Sequence, residues 1–100
     1  MNLDTTSVAL DNPKIQFPLI HMNGNDGTKL GREYFDAIIS LGKFEDEFGN
    51  IEFHQRDYYP LGDQSWNLAR AQREEIKKKI ADVREYLELH AAHCFESVRK

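Results

Sequence analysis

The sequence predicts a mainly α protein: a helical hairpin with an extended N-terminal arm. Three observations lead there. From Trp66 onward, Trp66, Ala69, Ile76, Ile80, Val83, Leu87, His90/Ala91, Cys94 and Val98 fall on one stripe of a helix, with only Arg73 breaking the series. A shorter stripe, Leu30, Tyr34, Ala37, Ile38, Leu41, Phe44 and Phe48, has the same spacing. Turn-forming clusters, Asn23-Gly24-Asn25-Asp26-Gly27-Thr28 and Gly49-Asn50, bracket that shorter stripe.

The 100 residues make one domain, with 1–13 as a flexible tail and 14–100 as the hairpin. The tail is polar and ends at Asn12-Pro13. Residues 14–22 carry Ile15, Phe17, Leu19, Ile20 and Met22, but Pro18 removes a ladder donor, so this is an edge strand or an arm laid across helices. Asp26 or Thr28 caps a short helix over about 28–48, in which Gly31 and Gly42 each cost up to about 1 kcal/mol relative to Ala. In the connection 51–64, Ile51 and Phe53 alternate with polar neighbours, which fits a short β segment near 51–54. A connection of that length usually carries function or packs as an ordered loop. Asp63 or Ser65 caps a long helix over about 65–96, and neither Pro nor Gly follows Gly62.

The long helix should outrun the short one by roughly ten residues. Placed at the C-terminal end, that overhang exposes Ala91, Ala92, Cys94, Phe95 and Val98, so a second subunit is expected to cover it. The expected oligomer interface is Ile76, Ile80, Val83, Leu87, Ala91, Cys94, Phe95 and Val98.

Composition narrows the function classes. The net charge of −4 argues against general nucleic-acid binding. It is unevenly spread: residues 1–64 hold five Lys/Arg against eleven Asp/Glu, and residues 65–100 hold eight against six. Either the halves attract each other or a neighbouring subunit, or the second half offers a local site for a small anion. No apolar run is long enough to cross a bilayer, Met1-Asn2-Leu3-Asp4 is unlike a signal peptide, and a single Cys94 suits a reducing compartment. A cytoplasmic location is expected.

Catalytic and metal signatures are weak. His90, His93 and Cys94 share a helix side at i, i+3 and i+4, but His90 and Cys94 belong to the apolar seam and no second cluster completes a ligand set. No metal site, no cofactor and no enzymatic activity are expected. Gly24 to Thr28 before a helix could present N–H groups to a phosphate, although a simple helix-starting turn explains it as well. Lys77-Lys78-Lys79 reads as a solvated face beside Glu74 and Glu75.

The connection holds more chemistry. His54-Gln55-Arg56-Asp57-Tyr58-Tyr59-Pro60 places a cation beside two tyrosines, which can stack on planar rings while arginine clamps an oxyanion. Arg70, Arg73, Lys77 and Lys78 add charge, and Arg73 on an apolar seam needs a partner. Alternatively, the tyrosines plug the hairpin end while Arg56 pairs with Asp57 or Asp63.

Pro18-Leu19-Ile20-His21-Met22-Asn23-Gly24 and Arg56-Asp57-Tyr58-Tyr59-Pro60 together resemble a group of small phage and prophage proteins. That group has an "IHLNGTS"-like lead-in, a helix, an "RDYYP"-like loop and a second helix; the resemblance spans about residues 15–94. This chain differs in Met22 for leucine, an Asn25-Asp26-Gly27 insertion and a longer run before Arg56. The resemblance implies a phage accessory protein in a bacterial cytoplasm, acting stoichiometrically. The expected function is then a non-enzymatic, oligomeric binding protein that captures a small anionic, nucleotide-like ligand or blocks a host defence factor. Its expected ligand contacts are His21, Asn23, Arg56, Tyr58, Tyr59 and Arg73. The alternative is a protein–protein assembly or regulatory module working through a coiled-coil-like interface.

Overall fold

A computed structural model describes residues 15–21, 24 and 26–99. Two antiparallel helices, α1 (Gly27–Asn50) and α2 (Asp63–Arg99), form the predicted hairpin. The expected tail at 1–13, and Asn23 among the expected ligand contacts, lie outside the described residues.

Local chemistry sets the helix ends. The Asp26 carboxylate accepts the Thr28 N–H at 3.1 Å, so this carboxylate occupies the turn that was a candidate phosphate cradle. At the other end the Ile51 N–H donates to Phe48 O at 3.2 Å and closes α1. Asp63 starts α2, where a negative charge suits the helix dipole, and the Ser65 hydroxyl donates back to Leu61 O at 3.3 Å.

The β segment expected near 51–54 does not form. Among the described residues there is no strand; the connection instead coils into two single-turn 3-10 helices, Gln55–Asp57 and Tyr59–Leu61. A lone ribbon beside two helices has no neighbouring strand to take its ladder hydrogen bonds. The chain satisfies itself locally, with His54 Nδ1 accepting the Arg56 N–H at 3.0 Å and Tyr58 N–H donating to Gln55 O at 2.9 Å. Gly62 then turns the chain into α2 at φ 106°, ψ 160°, a backbone region that side chains disfavour.

The core lies at the C-terminal end of α2. His90, Ala91 and Cys94 are buried beneath the start of α1 and the arm. Gly27 and Gly31 let the helices approach closely: a Cβ on Gly27 would stand 2.6 Å from Val98 Cγ2 and 3.0 Å from Cys94 O, and one on Gly31 would stand 2.9 Å from the Phe95 ring. The arm seals the same end. Phe17 stacks on His93 at 4.8 Å and tilts against His90 at 4.9 Å, while the His93 Nε2–H donates to Pro18 O at 2.7 Å. The His90 Nδ1–H donates to Tyr86 O at 2.9 Å, and its ring lies against Tyr34 and Tyr86.

These contacts relocate the overhang. Ala91 and Cys94, expected at a subunit interface, are covered by their own chain and have no surface to offer a neighbour. The extra length of α2, 37 residues against 24, lies at its N-terminal end instead. Arg73 already reaches Phe48 near the end of α1, and Phe53 and Tyr58 of the connection pack on Trp66 beyond it. Midway along the seam, Arg84 pairs with Glu45 across the helices and with Glu88 on its own helix.

The glycines give a paired test. Gly27→Ala should destabilise by about 1–3 kcal/mol, because the backbone carbonyl of Cys94 must move. Gly42→Ala, whose nearest neighbour is Arg84 Nη2 at 3.8 Å, should stabilise by about 0.5–1 kcal/mol in denaturant titrations.

The seam ion pair predicts a pH signature. The hydrogen bond from Arg84 holds the Glu45 carboxyl below its ordinary range. A depressed carboxylate contributes above its unfolded pKa and loses that contribution as pH falls through the folded one. Glu45→Gln should therefore lower the Tm at pH 7, and the gap to wild type should close as melts are taken below the usual carboxylate range.

Candidate functional site

The five expected ligand contacts among the described residues do not converge in one chain. His21 is exposed and precedes α1, its carbonyl accepting the Gly24 N–H at 3.0 Å. Arg56, Tyr58 and Tyr59 follow α1, so a 24-residue helix of about 36 Å separates them from His21. Arg56 pairs with Glu52, and not with Asp57 or Asp63. Tyr58 is half-buried against Phe53 and Trp66 at 5.6 Å from each, and serves as a plug. Tyr59 is 60% exposed.

Arg73 is the exception, because it lines a groove of about 500 Å³ with Phe53, Trp66, Arg70, Glu74 and Lys77. The hairpin geometry builds this groove. Trp66, Arg70, Arg73, Glu74 and Lys77 follow one another along α2 at steps of one, three and four, so they share a face. The connection folds Phe53 onto Trp66, with ring centroids 4.9 Å apart. The partner that the Arg73 cation requires is aromatic: its guanidinium carbon lies 4.5 Å from the Phe48 ring centre and 4.7 Å from that of Phe53, and Nη2 donates to Phe48 O at 3.4 Å. Arg70 lies 5.8 Å from the Trp66 ring centre and donates to Asn67 Oδ1 at 3.1 Å.

Three cations therefore face one carboxylate in the groove, and Lys77 answers that carboxylate at 3.5 Å. An aromatic wall beside an excess of positive charge suits a flat, anionic ligand. A second cavity of about 370 Å³ runs along the seam beneath Phe48, Ile80 and Ala81. Glu45, Glu85 and Glu88 line it against Lys77 and Arg84, and Arg84 is already held by two of the carboxylates, so it suits an anion less well than the groove does.

Sequence spacing marked Arg70, Arg73 and Lys77 but missed Phe53 and Trp66 as site residues. In the sequence, Trp66 reads as the first residue of the apolar seam and Phe53 as a strand residue. Their shared signal was aromatic character on either side of a turn-rich connection, which shows contact only once that connection folds.

The remaining candidates are structural. His90 and His93 each give a ring N–H to a backbone carbonyl, and burial pushes the Cys94 thiol above its ordinary pKa. Among the described residues, no group of three or more His, Cys, Asp or Glu side chains is placed to hold a metal. No helix among the described residues is long and apolar enough to cross a membrane. No protein-family model matches this sequence, and no curated protein or solved structure does either. The chemistry of the groove must carry the functional reading.

The two tyrosines should behave differently. Tyr58→Ala should red-shift the emission of Trp66, the sole tryptophan, and cost about 1–2 kcal/mol, because it strips a packed ring. Tyr59→Ala should leave both emission and Tm nearly unchanged, since its ring is largely in water.

Proposed function

We propose that the chain is a non-enzymatic accessory binding protein of phage type that captures a small, anionic, nucleotide-like ligand. The observation that carries this reading is the juxtaposition of Phe53 and Trp66 with Arg70, Arg73 and Lys77 in one groove. Stacking supplies affinity for a planar ring, and charge-assisted hydrogen bonds supply affinity for an oxyanion. Sequestration needs no more than that. The phage setting, and with it action in a bacterial cytoplasm against a host defence factor, rests on the resemblance carried by residues 18–24 and 56–60.

The protein is proposed to work as an oligomer. Its extents of 61 × 33 × 16 Å make it little more than one helix thick. Ile76 and Val83 of α2 are 42% and 43% exposed, and Phe35, Ile39 and Phe44 of α1 are exposed too. From the expected interface, Ile76, Ile80, Val83, Leu87, Phe95 and Val98 keep surface available to a neighbour. This same exposure favours the second reading, a protein–protein assembly module in which the groove is incidental.

Thermal melts with and without a panel of linear and cyclic nucleotides separate the two. Capture predicts stabilisation of about 3 kcal/mol at ligand a hundredfold above Kd, and the absence of any shift favours the assembly reading. Oligomer formation predicts a scattering mass above 11.7 kDa for wild type, falling towards that value in a folded Val83→Glu variant.

A further inference from the structure

We propose that Phe48 and Phe53 are positioning residues that hold the Arg73 guanidinium as a pre-organised oxyanion receptor; this rests on the anion-capture reading of the groove. The two rings come from different parts of the chain, Phe48 from the last turn of α1 and Phe53 from the connection. They meet at Arg73 of α2, at 4.5 and 4.7 Å from its guanidinium carbon. Phe53 is itself held by Trp66 at 4.9 Å and Tyr58 at 5.6 Å, so its place is set by the folded connection.

The way Arg73 is held supports a receptor role. Outside the groove, Arg56 is paired with Glu52 and Arg84 with Glu45 and Glu88, while Arg32 on the exposed side of α1 has no ion pair among the described residues. Inside it, Arg70 and Arg73 are paired with no carboxylate among the described residues, although Glu74 directly follows Arg73 in sequence. Glu74 is taken by Lys77. An aromatic ring attracts the cation through its π face without supplying an oxygen acceptor, whereas a carboxylate takes up the guanidinium N–H donors directly. Of the five donors on Arg73, one is directed at Phe48 O. A clamped arginine also loses less side-chain freedom when an oxyanion binds than a loose one does.

The clamp ties the site to the fold. Residues on α1, the connection and α2 must all be in place before Arg73 is aimed, so local fraying of the connection would disarm the groove while leaving its charge unchanged.

The test uses the full chain with inorganic phosphate and adenosine monophosphate as probes at low ionic strength, read by calorimetry and by Trp66 emission. Phe53→Leu removes a ring face but keeps apolar bulk; it should weaken binding of inorganic phosphate, which has no ring to stack, about fivefold or more, whereas Phe53→Tyr should stay within about twofold of wild type. Arg73→Lys keeps the charge but loses the planar edge, so it should weaken binding at least as much as Phe53→Leu. A folded Phe53→Leu that binds inorganic phosphate as wild type does would overturn the clamp and leave anion capture standing. If Phe53→Leu does not fold, Arg73→Lys decides, and unchanged affinity there counts against the proposal. Wild type that binds neither probe overturns the capture reading and the positioning role together.

Discussion

Two helices lying side by side share one seam, and everything in this structure follows from how little such a seam can bury. Only where Gly27 and Gly31 remove side-chain bulk do α1 and α2 come close enough to enclose anything, and there His90, Ala91 and Cys94 are sealed. The arm completes that enclosure. Phe17 stacks on His93 and Pro18 O takes the ring N–H, so a segment without regular structure covers the most buried part of the molecule. Intrinsic helix propensity would favour Ala over Gly at position 31, but Phe95 occupies the space its methyl group would need.

The opposite end solves the same problem with different chemistry. There α2 outruns α1, and the connection folds back to shelter it through Phe53, Tyr58 and Trp66. Rings suit this task because each covers a large area with few degrees of freedom. They also accommodate a cation on their faces, which is how Arg73 sits on an apolar seam without a buried carboxylate. One aromatic cluster thus closes the hairpin and lends the groove its stacking surface.

A body 16 Å thick leaves both broad faces in contact with its surroundings. Exposed apolar side chains on both helices are the consequence, and covering them is the physical motive for association. Among the described residues the seam carries one cross-helix ion pair, Arg84 with Glu45, whose exposure limits its weight. Packing at the two ends therefore matters more to the fold than charge in the middle.

The sequence by itself determined the helices. Apolar steps of three and four, a capping aspartate at Asp26 and turn residues at Gly49-Asn50 are local signals, each acting within a few residues, and α1 and α2 form where those signals lie. The charged part of the groove was also legible, because Arg70, Arg73 and Lys77 lie on one helix at helical spacing. Tertiary structure decided the rest. Whether the overhang lay at Val98 or at Trp66 depended on the register between helices, which two glycines and one phenylalanine set across more than sixty residues of chain. The rings around Arg73 come from positions 48 and 53, and no periodicity links those positions to 73. Spacing reveals what shares a face of one helix, whereas contact between separate segments is fixed only when the chain closes and their surfaces must fit.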